Sequence, residues 1–214
     1  MVAIIKGDII ASRKLVNQAK WIDPLKRLFA NWGETPQLWE IIWGDSFQVE
    51  ITNPQLALAR ALQIKALIRK IQPNQVAKKN SDIDVRMAIG IGAKTYTSSR
   101  ISESNGPAFI YASEKFELLK KENTNLAIKS DWSEFDDEIN LYLKLAGSFA
   151  DGWSISSAEL VDYVLTHPEA TQQEIGEVLG IKQNSVSGRW SRARIDEILE
   201  IKKVYQTKLK NVLK

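Results

Sequence analysis

Hydrophobic and polar positions follow two rhythms over the first 150 residues and a single helical one afterwards. Val2–Lys6 is a short apolar run ending at Gly7-Asp8, the pattern of a buried strand. Leu15, Ala19, Ile22, Leu25 and Phe29 then recur at helical spacing across Leu15–Ala30, with Pro24 predicting a kink or a split into two helices. Leu38–Trp43 and Phe47–Ile51 are rich in β-formers and flank Gly44-Asp45, where glycine at the first central position permits a type II′ hairpin. Across Pro54–Ile71, Leu56, Ala59, Leu62, Ala66, Leu67 and Ile71 share one face. Pro54 near the start and Pro73 past the end bound this predicted amphipathic helix. Gln72–Ser81 is polar and reads as a loop, and Val85, Met87, Ile89 and Ile91 alternate as in a strand. Lys94–Asn105, rich in Ser and Thr, reads as irregular. Phe109–Lys121 reads as a helix, Leu126–Lys129 as a short strand, and Trp132–Phe149 as a helix whose acidic start suits the helix dipole.

The order β-α-β-β-α-β followed by α-β-α predicts an α+β fold, with a ferredoxin-like domain over residues 1–150. Past Ala150–Gly152 every segment reads as helix, so residues 151–214 form a second, all-α domain in this reading. There is no internal repeat and no low-complexity tract.

With 214 residues, 44% of them hydrophobic and 26% charged, the chain can bury a genuine core and is not compositionally disordered. It has no cysteine and one histidine, which excludes disulfides, thiol catalysis, cysteine-ligated zinc and multi-histidine metal sites. Chemistry must then rest on carboxylates, hydroxyls, Lys/Arg or a bound cation. His167 precedes Pro168 in an inter-helix connection and reads as an ordinary loop residue. No apolar run reaches the roughly 18 residues of a membrane span, and the N-terminus turns charged too early for a secretory segment. A cytoplasmic protein without a membrane partner is the expectation.

Net charge is +3, but its distribution is uneven. Gly180–Lys214 holds nine basic and three acidic residues, whereas Asp151–Leu179 holds six acids and no Lys or Arg. A basic segment beside an acidic scaffold points to a polyanionic partner. Where the two stretches meet, Thr171-Gln-Gln-Glu174 has the form of a capping box, Gly180 can turn the chain in the left-handed conformation, and Ile181 plugs the corner. Ile175, Val178 and Leu179 face inward from the first helix, and Val186, Trp190 and Ala193 from the second. The polar face of the second helix carries Gln183, Asn184, Ser185, Ser187, Arg189 and Arg192, with Arg194 at its end. Short polar side chains there can reach base edges of double-stranded DNA and arginines can reach phosphates. From Ser157 to Ile198 the pattern resembles the last DNA-binding region of sigma factors, with Ser185–Arg194 as the recognition helix. Gly176 stands where that motif prefers alanine, at a helix cost of roughly 1 kcal/mol. Ile195–Leu213 carries an apolar stripe that packs either on its own domain or in a homodimer.

Gly7-Asp8 and Gly44-Asp45 are the second constellation. In a ferredoxin-like sheet the end of the first strand lies beside the turn joining the second and third, making Asp8 and Asp45 neighbours. Two carboxylates that close repel unless protonated or bridged by a cation, for which magnesium is the usual choice. Trp43-Gly-Asp-Ser-Phe47, Val85-Arg-Met-Ala-Ile-Gly-Ile-Gly92 and Gly106-Pro-Ala-Phe-Ile-Tyr-Ala112 resemble the central hairpin, following strand and helix-start motif of class III nucleotide cyclases, and more distantly GGDEF and polymerase palm domains. That resemblance implies Asp8 and Asp45 as ligands of Mg2+ or Mn2+, with Gly7, Asp8, Ser12, Arg13, Gly44 and Asp45 around a nucleotide. Ile110 and Glu114 stand where the cyclase pattern has asparagine and arginine, which implies a degenerate site unless Arg13, Lys94 or Arg100 substitutes.

Over nearly the full length, Ile5–Arg13, Trp43–Phe47, Gly106–Phe109 and Trp153 before the helix-turn-helix are similar to the SatD family. The resemblance implies a bacterial cytoplasmic protein with a cyclase-like front and a DNA-binding tail. The expected function is a DNA-binding transcriptional regulator whose N-terminal domain binds a nucleotide-like ligand or a partner. The alternatives are an active metal-dependent nucleotidyl cyclase or nucleotidyltransferase using Asp8 and Asp45, and a non-catalytic dimeric interaction module.

Overall fold

The computed structural model describes residues 1–15, 17–42, 44–72, 81 and 83–214. Trp43 of the expected hairpin and residues 73–80 of the expected loop lie outside the described residues. The chain adopts an α+β fold around a five-stranded mixed sheet in the order β2-β3-β1-β4-β5. The strands are β1 Val2–Ile10, β2 Trp39–Ile42, β3 Ser46–Ile51, β4 Asp84–Gly92 and β5 Leu126–Lys129. β1 runs antiparallel to both β3 and β4, β2 is antiparallel to β3, and β5 is parallel to β4.

The helices are α1 Ala19–Ala30, α2 Ala57–Arg69, α3 Pro107–Glu122, α4 Ser133–Ala150, α5 Ile155–Thr166, α6 Gln172–Leu179, α7 Gln183–Ala193 and α8 Ile195–Val212. α1 is a single helix that continues through Pro24 rather than splitting there. Ile42 pairs with Ser46, so the β2–β3 connection is longer than the two residues of a type II′ turn.

Strand periodicity sorts side chains onto two faces. Ala3, Ile5 and Ile9 enter the main core with Trp21, Leu25 and Phe29 of α1, and Phe29 lies 5.3 Å from Phe47 and 5.7 Å from Trp39, ring to ring. Ile4 faces the opposite way, onto Ala108, Phe109 and Ala112 of α3. α3 sits unusually close to the sheet because β4 offers Gly90 there. A Cβ on Gly90 would fall 2.1 Å from the Ala108 carbonyl oxygen and 2.3 Å from the Ala112 nitrogen.

α2 departs most from its pattern, which suggests one wet face. It is buried nearly all round, including Gln63, Lys65 and Arg69, because α5 packs against the side turned away from the sheet. α8 lies across α4 and the short 3-10 turn Pro54–Leu56, with the buried Tyr205 hydroxyl donating to the Pro54 carbonyl at 2.8 Å. Much of the apolar stripe of α8 is thus covered by its own chain, with Ile195, Ile198, Tyr205 and Leu209 buried and Leu199, Ile201, Val212 and Leu213 partly buried. One contiguous hydrophobic cluster runs from Ala3 in β1 to Leu209 in α8.

Candidate nucleic-acid interface and the paired aspartates

α6 begins with a reciprocal capping box. The Thr171 hydroxyl accepts from the Glu174 backbone N–H at 3.3 Å, and the Glu174 carboxylate accepts from the Thr171 N–H at 2.7 Å. Those two groups of Thr171 hold the Glu174 carboxyl below its ordinary range, the backbone N–H contributing most. α6 ends at Gly180, left-handed at φ 66° and ψ 33°, and the Ile181 N–H closes the turn on the Gly176 carbonyl at 2.9 Å. Ile175 and Val186 are fully buried against the core where α6 meets α7. Gly176 has a packing reason: a Cβ there would lie 2.7 Å from the Ile181 carbonyl oxygen.

α7 starts after Lys182, with no acidic residue in its first turn. It buries Val186 and Ala193 and exposes Gln183, Asn184, Ser185, Ser187, Ser191 and Arg192. No side chain of those six makes a hydrogen bond or ion pair within the described residues. The burial of Ala193 is reinforced from α5's approach segment, where the Trp153 indole donates to the Ala193 carbonyl at 2.9 Å.

Two of the expected DNA contacts are placed differently from their neighbours. Arg189 sits on the inner flank of α7, 20% exposed, and donates to Glu159 of α5 at 3.0 Å. Helical spacing alone could not show this partner thirty residues away. Arg194 is left-handed at φ 57°, joins α7 to α8, and pairs with Glu197 at 3.0 Å while its side chain stays 60% exposed. Beside the exposed stripe a cleft of about 460 Å³ is lined by Gln172, Ser187, Ser191 and Arg194 together with the acidic Asp196 and Glu197.

At the other end of the molecule the two aspartates are brought together through their backbones. Asp8 pairs in register with Ser46, and the Ile9 N–H donates to the Asp45 carbonyl at 3.0 Å. Their carboxylates, however, are engaged separately. Asp8 faces Arg86 of β4 in register, with Oδ2 2.6 Å from the guanidinium, while its Oδ1 is buried with no hydrogen-bond partner. Asp45 Oδ2 accepts from the buried Ser12 hydroxyl at 3.1 Å.

The Asp8 side chain shares its face of the sheet with Lys6, whose ammonium donates to Ser113 at 3.3 Å. Lys6 and Arg86 both lie over the Phe116 ring, at 5.5 and 5.8 Å. Gly7 is buried beneath Phe47, where a Cβ would fall 2.4 Å from the ring, so its smallness serves packing. Gly44 is exposed at φ 89° with nothing around it, and Arg13 is exposed without an ion pair among the described residues.

In the structure a guanidinium neutralises Asp8 and the Ser12 hydroxyl holds Asp45, so Mg2+ or Mn2+ at this pair would have to displace those partners. Of the three cations that could have replaced the missing arginine, Arg13 has no ion pair among the described residues, and the other two are committed. Lys94 pairs with Glu50 at 2.8 Å, and Arg100 pairs with Glu40, which also accepts from the Ser102 N–H at 3.1 Å. Glu114 itself is paired with Lys129 at 2.6 Å.

One cluster has little trace in the sequence pattern. Lys65 and Arg69 on α2 converge on Asp84 of β4, with Lys65 3.0 Å from Asp84 and 2.6 Å from Asp151. Arg69 donates to the Trp153 carbonyl at 2.7 Å, and Lys70 pairs with Asp162 of α5 at 2.5 Å. These contacts fasten the start of the C-terminal helices to the layer on the sheet. Only an i, i+4 pair of cations on an apparently amphipathic helix hinted at them. No protein-family model and no curated protein matches the chain.

Proposed function

We propose that the protein is a regulator that binds double-stranded DNA through α6 and α7, with a degenerate cyclase-like domain in front serving as its sensor. The observation that carries this reading is the outward stripe of α7. It is polar, exposed, free of acids and without side-chain partners among the described residues, and it is braced from behind by Val186, Ala193 and the Trp153 indole. Lys182 and Arg192, exposed at the two ends of α7, supply phosphate contacts. Arg189 supports the interface by holding α7 to α5 instead of touching DNA.

The strand order, with β3 between β1 and β2, supports a ferredoxin-like reading of the sheet and, with the two Gly-Asp pairs, kinship with nucleotide cyclases and the SatD family. The Asp8–Arg86 pair favours a sensor over an enzyme, because a divalent ion at Asp8 would have to displace a guanidinium. Lys6, Arg86 and the exposed Arg13 suit an anionic, nucleotide-like ligand at this edge. Packing supplies a physical route between the two ends: the sheet touches α2, α2 touches α5, and α5 holds α7 through Glu159.

The test is binding to a random-sequence duplex at a series of salt concentrations. The double variant Lys182→Ala, Arg192→Ala is expected to bind more weakly and to lower the log–log salt slope by about 2, one released counterion per lost phosphate contact. Arg189→Ala is expected to leave the slope unchanged. An unchanged slope in the double variant would show that α7 does not face the phosphates.

A further inference from the structure

We propose that the first turn of α7 reads adenine, not guanine, in the major groove. This rests on the DNA-binding reading above and adds the base class that the interface selects. Gln183 and Asn184 are the first two residues of α7, both are exposed, and neither side chain has an intramolecular hydrogen bond among the described residues. In helix-turn-helix docking the N-terminal residues of the second helix are the ones that approach base edges.

A carboxamide offers one donor group and one acceptor. Adenine presents the complement, the N6 amino donor and the N7 acceptor, whereas guanine presents two acceptors and needs two donors. The side chain best suited to guanine is arginine, and each arginine of this region is elsewhere. Arg189 is tied to Glu159 on the inner flank. Arg192 lies eight residues after Asn184, about 12 Å farther along the axis. Arg194 lies beyond the end of α7 and is paired with Glu197. No Asp or Glu lies on α7, so a carboxylate reading of cytosine is absent too. Ser187, one turn on from Gln183 and Asn184, adds a hydroxyl tolerant of either base. Lys182 is the one competing donor near the helix start, and the experiment treats it as such.

The full chain is used to select duplexes from a random-sequence pool at about 0.15 M salt, and affinities are then measured for the winner and its single-pair variants. The expected winner contains an A·T pair whose replacement by G·C weakens binding by about 5- to 150-fold. Asn184→Ala or Gln183→Ala should erase that discrimination while leaving the salt slope as it was, and Asn184→Arg should move the preference to guanine at that pair. Three results would overturn the proposal. One is a guanine-led site whose discrimination survives both alanine variants and disappears in Lys182→Ala. Another is salt-dependent binding with no base preference, which leaves the DNA reading standing. The third is no binding to any duplex, which removes that reading as well.

Discussion

At Gly176 a single hydrogen atom lets the α6 backbone close on the turn that follows. Helix propensity alone would make alanine better there by about 1 kcal/mol. The carbonyl of Ile181, 2.7 Å from the missing Cβ, reverses that preference. Gly176→Ala is therefore expected to lower stability by about 1–3 kcal/mol in chemical denaturation, and a more stable variant would contradict the geometry. The sequence shows the small residue but not the oxygen that requires it. The same holds for Asp8, whose Gly-Asp pair is conspicuous in the chain while its partner Arg86 lies 78 residues away. Only the β1–β4 register, Asp8 opposite Arg86, makes that pairing visible.

Elements were legible wherever their signals are local. Four of the five strands lie close to where periodicity places them, whereas β1 runs on through Gly7-Asp8 to Ile10 because both of its neighbours pair with it there; the Thr171–Glu174 capping box and the Gly180 turn form as their spacing predicts. What periodicity could not convey is what covers an element. The second face of α2 and much of the stripe of α8 are both buried by segments distant in sequence.

For α8 that cover includes an ion pair with α4, Lys208 to Glu138 at 2.7 Å. Hydrogen bonds from Lys208 and then Tyr142 hold the Glu138 carboxyl below its ordinary 4.5, and the same bond raises Lys208 above 10.5. The carboxylate contribution is thus present above pH 4.5 and lost as pH falls through the depressed folded value. The ammonium contribution is present below pH 10.5 and lost as pH rises through the elevated one. Glu138 in Lys208→Ala is expected to titrate at higher pH than in the parent when followed by NMR. An unmoved titration would mean that the two side chains do not meet in solution.

Over the whole molecule, the segments before and after residue 150 share one core and one buried charge cluster. Composition shift marks a boundary at 150–152, but it says nothing about packing across it, and Lys65, Arg69, Asp84 and Asp151 were not legible as a group. Asp84→Ala leaves Lys65 with Asp151 alone and Arg69 without a carboxylate, and is expected to cost about 3 kcal/mol. Tryptophan fluorescence and far-UV circular dichroism of the parent chain should follow a single shared transition. Early, separate melting of helical signal would show that the C-terminal helices are an independent unit. In the proposed docking the outward stripe of α7 enters the major groove. Because the chain has no cysteine, Ser187→Cys and Leu145→Cys each carry one exposed thiol, on α7 and on α4 respectively. With duplex DNA bearing a thiol-reactive group in the major groove, cross-linking is predicted at position 187 and not at 145. Equal yields at the two positions, or none at 187 under conditions where the protein binds, would contradict the account.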